Sequence, residues 1–193
     1  MSLAHAAPSL DEAGLARAVS LHQGGLDVTE DYIATQAYGS DMLAQLLATL
    51  EQLATGKQVP GLQSKPGDRL VYYAGHDINI YFLRNFLRLN WLTDSYNMNQ
   101  AMPGGMLGFE ILSDGAAAPN YYLNVTFTSQ SYAQQRAASP LTGGGAAAPD
   151  SVFVTIPECA TGPQGTCPLA DFRNLVLRAI RDECVATVPV GDL

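Results

Sequence analysis

A short apolar run that leads through a glycine into an amphipathic stretch constrains the fold of this 193-residue chain most strongly. Within residues 69–74, an arginine is followed by the apolar run LVYYA, which predicts a strand buried on both faces. Gly75 ends the run, and residues 78–89 carry apolar side chains at helical spacing. A strand, a glycine turn and a helix in this order are typical of layered α/β proteins.

The other apolar patterns predict further helices and strands around this unit. Ser9 and Glu12 have the spacing of a capping box, which predicts an N-terminal helix. A stripe of leucines predicts a second helix from about residue 30 to Gly56, with an interruption at residues 39–41. The remaining predicted elements are strands over 106–112, 121–128 and 152–156, and a last helix over 169–182.

The charge balance and the hydropathy exclude some classes of partner. The chain has 10 basic residues against 18 acidic ones and a net charge of −8, so it lacks the basic surface of a nucleic-acid-binding protein. No apolar run approaches the roughly 18 residues that a membrane-spanning helix needs. The first ten residues also lack the pattern of a signal peptide. We therefore expect neither a nucleic acid nor a membrane as a partner.

One of the three histidines lies where ligands bind in α/β proteins. His76 follows the carboxyl end of the predicted strand, and Asp77 stands at the start of the next helix, whereas His5 and His22 lack such a placement. The N–H groups at a helix N-terminus favour an anion such as phosphate. An imidazole can donate to a phosphoryl oxygen, and a protonated carboxyl can deliver a proton to a leaving alkoxide. The alternative is that Asp77 is present only as the helix N-cap.

An ordered series of short motifs surrounds this His-Asp pair. The series runs YAGHDIN at 73–79, LNW at 89–91, PGG at 103–105, FE at 109–110, VTF at 125–127, SPL at 139–141, IPEC at 156–159 and CPLADF at 167–172. It resembles the histidine acid phosphatases, in the branch that contains phytases and glucose-1-phosphatases, over roughly residues 69–185, with a weaker match in the preceding helices. The resemblance implies an α/β fold, the C-terminal portion of a three-layer domain in which helices flank a central sheet. It also implies hydrolysis of phosphate monoesters through a phosphohistidine. No spacing of cysteines and histidines suggests a zinc site, and we expect neither a metal nor a cofactor.

The resemblance implies roles for residues of the first motif. His76 binds the phosphoryl group, Asp77 is the general acid, and Asn79 adds a contact to the substrate. Because the acid must carry a proton when it acts, we expect either a mildly acidic working pH, or burial and a nearby anionic phosphate that keep the proton on the carboxyl group. Many phytases have a threonine after the His-Asp pair, where this chain has Ile78. A substrate preference for phytate therefore does not follow from the motif.

Three cysteines near the C-terminus raise the question of a disulfide. An odd count suggests a free thiol or a bond to another chain, with three buried thiols as the alternative. In the family that the chain resembles, a short-range disulfide matches Cys159 and Cys167. The cysteine that matches Cys184 pairs there with one in the first half of the protein, which would leave Cys184 unpaired here. A disulfide framework implies a secreted, periplasmic or lumenal location. The sequon at Asn124 is a candidate for glycosylation.

One part of the family pattern is absent from the chain. The nucleophile of the family is a histidine in Arg-His-Gly-x-Arg-x-Pro, and no Arg-His pair occurs in these 193 residues. We therefore expect residues 69–185 to be the C-terminal half of a phosphatase domain, with residues 137–150 as a flexible, glycine-rich insertion. Residues 1–68 are expected to be a helical segment that packs on this domain, and residues 186–193 a tail.

Two hypotheses about function follow from this pattern. In the first, the chain supplies the His-Asp half of a catalytic site and is inactive alone. A missing N-terminal half, or a complementary chain, then provides the nucleophile, and a small phosphate monoester is the substrate. In the second, the chain is a non-catalytic protein that docks onto another polypeptide through an open edge of its sheet.

Overall fold

The computed structural model describes residue 14 and residues 31–138 and 140–189. The predicted N-terminal helix that begins at Ser9, together with His5 and His22, lies outside the described residues. No helix in the described ranges is long and apolar enough to cross a bilayer. The helices are α1 (Tyr32–Thr55), α2 (Asp77–Leu87), α3 (Tyr132–Ala137) and α4 (Leu169–Ala179), and the strands are β1 (Met106–Ser113), β2 (Tyr121–Ser129), β3 (Asp150–Phe153) and β4 (Cys167–Pro168).

The strands form one antiparallel sheet around β2. β1 pairs with β2 along its whole length, and β3 and β4 pair with separate stretches of the opposite edge of β2. The strands predicted over 106–112 and 121–128 are confirmed. Their alternation of apolar and polar residues suits a sheet that has one buried face. Helices pack against this sheet, which confirms the α/β fold class.

The hydrophobic core lies between the sheet and the helices. Leu123, Val125 and Phe127, alternate residues of β2, are at most 1% exposed. The ring of Phe127 stacks on Trp91, with the two ring centroids 4.5 Å apart. The helices contribute fully buried side chains to the same cluster, among them Leu43, Leu47, Leu87, Phe172 and Val176. This core holds α1, α2 and α4 against the sheet and so sets the position of the N-terminus of α2.

Helix α1 is continuous, so the predicted interruption at residues 39–41 is wrong. Gly39 faces two phenylalanines of α2 at close range. A Cβ atom at this position would be 2.8 Å from Cε2 of Phe86 and 2.9 Å from Cβ of Phe82. Ser40 donates a hydrogen bond from its hydroxyl to the carbonyl of Gln36 and so stays within the helix. In the sequence alone, these residues resemble a helix break. The reason for the glycine is its packing against α2, which the local sequence does not show.

Three predicted boundaries also differ from the structure. Helix α2 ends at Leu87, since Arg88 adopts a left-handed conformation with φ 52° and its N–H closes the turn on the carbonyl of Arg84. Helix α4 ends at Ala179 instead of residue 182. Strand β3 lies slightly earlier than predicted, although the N–H of Val154 still donates to the carbonyl of Val125 at 2.8 Å.

Residues 69–74 do not form the buried strand that the sequence predicts, so this prediction is wrong for the described structure. Leu70 and Tyr72 are 84% and 75% exposed, and no backbone hydrogen bond joins this segment to another described residue. The hydroxyl of Tyr73 is anchored, because it shares a hydrogen bond of 2.7 Å with the hydroxyl of Thr49 on α1. A strand requires a neighbour to pair with, and the sheet around β2 does not supply one here.

The C-terminal segment is fastened to α1 by one carboxylate. Oδ1 of Asp41 accepts hydrogen bonds from the N–H groups of Ala186 and Thr187, at 2.9 and 2.8 Å, and Oδ2 accepts one from the Thr187 hydroxyl. Val188, the next residue, is buried. Burial by itself would raise the pKa of Asp41, but hydrogen bonds from Thr187, Ala186 and Gln45 outweigh burial and lower this pKa from its ordinary value of 3.8.

We expect Asp41→Ala to lower the free energy of unfolding by about 2 kcal/mol at pH 7, because several hydrogen bonds to one charged group are lost. A carboxylate with a lowered pKa stabilises the fold above its unfolded pKa and loses this effect as the pH falls through its folded pKa. Urea unfolding at pH 7 and pH 3 should therefore show a smaller difference from the wild type at pH 3. Asp182→Ala, an exposed acid in the same segment, is the control. An equal loss at both pH values would contradict a role of the charge.

Candidate active site

The predicted pair of His76 and Asp77 lies at the exposed N-terminus of α2. His76 itself occupies the N-cap position, with φ −95° and ψ 168°, and Asp77 is the first residue of the helix. The prediction of Asp77 as the N-cap is therefore wrong by one residue. Oδ1 of Asn79 accepts a hydrogen bond of 2.8 Å from the N–H of His76, which satisfies a donor at the start of the helix.

The carboxyl group of Asp77 is held at one oxygen only. Oδ1 accepts a hydrogen bond of 2.8 Å from the N–H of Ile78. Among the described residues, no recorded hydrogen bond or ion pair engages its other oxygen. The side chain is exposed, so this oxygen is free to carry a proton and to donate it to a molecule bound at the helix N-terminus. Because Oδ1 still accepts a backbone N–H at the start of the helix, a purely structural role for Asp77 remains the alternative.

The residues before the pair are fixed at two points. The hydrogen bond between Tyr73 and Thr49 ties the segment to α1. Gly75 leaves space for the side chain of Asn79, since a Cβ atom at residue 75 would be 2.9 Å from Oδ1 of Asn79. Neither contact follows from the predicted role of Asn79 as a substrate contact. An amide residue three positions after an N-cap is a signal that could have predicted the second one.

Arg88, the C-cap residue of α2, does not bring a cation to His76. Arg88 lies at the opposite end of this 11-residue helix, which is about 16 Å long, and its guanidinium pairs with Glu158 at 3.3 Å. No group of three or more potential metal ligands occurs within residues 31–138 and 140–189. Within the described part of the chain, the site therefore consists of one imidazole, one carboxyl group and the backbone of a helix start.

The cysteines lie away from this site. Cys159 and Cys167 form a disulfide with Cα atoms 4.9 Å apart, and so the structure contains the bond that the family resemblance implies. Cys184 is a half-buried free thiol. Asn124 lies within β2 and donates a hydrogen bond of 3.0 Å to Glu110 on β1, so its sequon is part of a paired strand.

Neither His76 nor Asp77 lines the two best-formed clefts in the described part of the chain. One, of about 740 Å³, lies between the end of α1 and the starts of β2 and α4. It contains the ion pair of Glu51 and Arg173, whose atoms are 3.2 Å apart, and burial raises the pKa of Glu51 although Arg173 opposes this. The other, of about 460 Å³, is lined in part by residues 70–73. His76 and Asp77 are thus exposed among the described residues, and they lie outside both of these clefts.

Comparison with known proteins identifies the relatives of this chain. No protein-family model matches it. The phytase AppA of Escherichia coli is 33% identical over 119 residues, which are 60% of this chain and 26% of that protein. The chain is similar to phytases, which are histidine acid phosphatases. The phytase of Hafnia alvei in complex with tartrate superimposes with a TM-score of 0.74 at 27% identity, over 92% of this chain and 43% of that one. The phytase of Citrobacter braakii, at 21% identity and a TM-score of 0.67 over 92% of this chain and 44% of its own, shows the shared fold.

The chain therefore spans a quarter to less than half of the length of these relatives. Such coverage is consistent with the C-terminal part of a phytase-type protein. It also agrees with the absence of the Arg-His-Gly motif from the 193 residues.

Proposed function

We propose that this chain supplies the His-Asp half of an acid-phosphatase site, which hydrolyses phosphate monoesters through a phosphohistidine. The observation that carries the proposal is the exposed pair of His76 and Asp77 at the N-terminus of α2, in a chain related to phytases. Exposure lets both side chains reach a ligand. The partial positive charge of the helix start favours binding of a negatively charged phosphoryl group over binding of a neutral ligand.

The reaction requires a nucleophile from outside this chain. The histidine of an Arg-His-Gly segment attacks phosphorus, and an N–P bond forms as the bond from phosphorus to the leaving oxygen breaks. His76 donates a hydrogen bond to a non-bridging oxygen and stabilises the charge there, while Asp77 gives its proton to the leaving alkoxide. Water then cleaves the N–P bond and returns a proton to Asp77, and inorganic phosphate leaves. Asn79 can donate a hydrogen bond to the substrate from its amide NH₂ group while its Oδ1 accepts the N–H of His76.

The segment before the site is suited to receive the missing part of the domain. Residues 69–74 have the composition of a buried strand, yet Leu70 and Tyr72 are exposed and the backbone is unpaired. More than half of the Hafnia alvei phytase has no counterpart in this chain. The partner in our proposal is therefore an N-terminal half, or a complementary chain, that pairs with residues 69–74 and brings the nucleophile to His76. The same exposed segment supports the alternative, in which the chain docks onto a polypeptide without catalysis.

The disulfide supports a location outside the cytosol. A bond between Cys159 and Cys167 persists in secreted, periplasmic or lumenal proteins, where the environment is oxidising. We propose such a location for the assembled phosphatase.

A titration with inorganic phosphate tests the half-site directly. The chain has three histidines, so the ring signals of all three can be assigned by NMR with single His→Gln variants. We expect a saturable shift of the His76 ring and of the Asp77 amide, because phosphate binds at the start of α2. The rings of His5 and His22 serve as internal controls, and sodium chloride at equal ionic strength corrects for general salt effects. Equal, unsaturated drift of all three rings would contradict phosphate binding at His76.

A further inference from the structure

We propose that Asn79 is a positioning residue, which fixes the backbone of His76 so that its ring faces the ligand. Oδ1 of Asn79 accepts the N–H of His76 at 2.8 Å, and the N–H of Asn79 donates to the carbonyl of His76 at 3.1 Å. Asn79 thus engages both backbone polar groups of the residue that carries the imidazole. The consequence for ligand binding rests on the proposed function, whereas the contacts of Asn79 do not depend on it.

Gly75 is the second part of this arrangement. The side chain of Asn79 folds back over Gly75, where a Cβ atom would lie 2.9 Å from Oδ1, 3.3 Å from Cγ and 3.4 Å from Cβ of Asn79. All three of these nearest atoms belong to Asn79, so a side chain at residue 75 would displace this one neighbour. A glycine is therefore needed at residue 75 to leave room for the side chain of Asn79. No positive φ angle is recorded for Gly75, so backbone strain is not the reason for it.

The need for such a clamp follows from the surroundings of His76. Residues 69–75 have no backbone hydrogen bond to other described residues, and His76 is exposed. The tie between Tyr73 and Thr49 holds the chain three residues earlier, but it leaves the peptide units of Gly75 and His76 unrestrained. The hydrogen bonds of Asn79 are the restraint that acts on His76 itself. An imidazole placed in advance binds a phosphoryl oxygen at a smaller entropic cost.

Amide hydrogen exchange at His76 in the whole chain tests the clamp without any assay of activity. We expect Asn79→Ala to speed the exchange of the His76 amide about fivefold, because its acceptor is lost. Asn79→Asp retains an acceptor oxygen, so the exchange rate of its His76 amide should stay near that of the wild type. Gly75→Ala should behave as Asn79→Ala does, whereas Gly67→Ala, at a glycine with nothing within 4 Å of the added atom, should have no effect at His76.

The double variant Gly75→Ala with Asn79→Ala decides whether the two residues act together. If the clash at residue 75 is with Asn79 alone, the double variant should be no faster in exchange than Asn79→Ala. Additive effects, or an unchanged His76 amide in Asn79→Ala, would overturn the proposal. The melting temperature, measured in parallel, should change little, which separates a local clamp from a general loss of stability.

Inorganic phosphate then links the clamp to the site. In Asn79→Ala and Gly75→Ala, we expect the phosphate-induced shift of the His76 ring to need a several-fold higher phosphate concentration. Wild-type affinity in both variants, despite faster exchange at His76, would overturn the positioning role. A wild-type chain whose His76 does not respond to phosphate at all would instead refute the proposed function, and the exchange data would still report on the clamp.

Discussion

The purified chain alone should release no p-nitrophenol from p-nitrophenyl phosphate, and its complex with an Arg-His-Gly-bearing segment should release it. The chain contains neither an Arg-His pair nor, among its described residues, an arginine recorded in contact with His76. Phosphoryl transfer through a phosphohistidine needs an attacking imidazole and donors that match the phosphate oxygens. A suitable partner is the N-terminal part of the Escherichia coli or Hafnia alvei phytase, co-expressed with this chain, because the family resemblance implies that this part carries the Arg-His-Gly motif. Turnover is then measured with each chain alone and with both together.

Two controls separate docking from catalysis in this experiment. The same N-terminal segment with its motif histidine replaced by alanine should still bind the chain but should give no turnover. Tyr72→Asp, which places a charge on the exposed apolar segment, should weaken the complex without touching the His-Asp pair. Turnover by this chain alone would refute the idea that the nucleophile is encoded elsewhere. A stable complex without turnover would favour the non-catalytic alternative.

Sequence reasoning works best where the structure depends on neighbouring residues. The β1–β2 hairpin follows from alternation within 106–113 and 121–129, because each strand supplies the other with hydrogen bonds and they are close in the chain. Residues 69–74 carry an equally strong strand signal, yet they are unpaired. The difference is that a buried strand in a layered fold pairs with strands distant in sequence. Composition reveals the tendency of a segment to be a strand, but it does not show whether a neighbour is present.

The candidate site shows the same division between local and non-local information. The order of strand signal, glycine and helix places His76 and Asp77 at a helix start, and the structure has them there. The N-cap lies one residue earlier than predicted, because Asn79 satisfies the His76 amide from within the helix. The predicted helix interruption at Gly39 is wrong for a non-local reason. This glycine lets Phe82 and Phe86, which are 43 and 47 residues away in the chain, approach α1. No pattern around residue 39 contains that contact.

We expect Asp77→Asn, in the assembled two-chain enzyme, to lower kcat for a simple alkyl phosphate by about 10²–10⁴-fold. An alkoxide is a poor leaving group, so its departure depends on the proton that Asp77 donates. The asparagine can keep the hydrogen bond to the Ile78 amide through its oxygen, but it cannot supply that proton. For p-nitrophenyl phosphate, whose leaving group is stable without a proton, the loss should be much smaller. The measurement is therefore the ratio of kcat values for the two substrates in wild type and variant.

The choice of control makes this ratio specific to proton transfer. Asp171 is likewise an exposed acid in the first turn of a helix, α4, so Asp171→Asn removes the same charge from the first turn of another helix. It should leave both kcat values unchanged. Equal losses for the alkyl and the p-nitrophenyl ester in Asp77→Asn would mean that Asp77 only orders the start of α2. Full activity on the alkyl ester would remove Asp77 from the acid role and leave His76 as the sole contribution of this chain to the reaction.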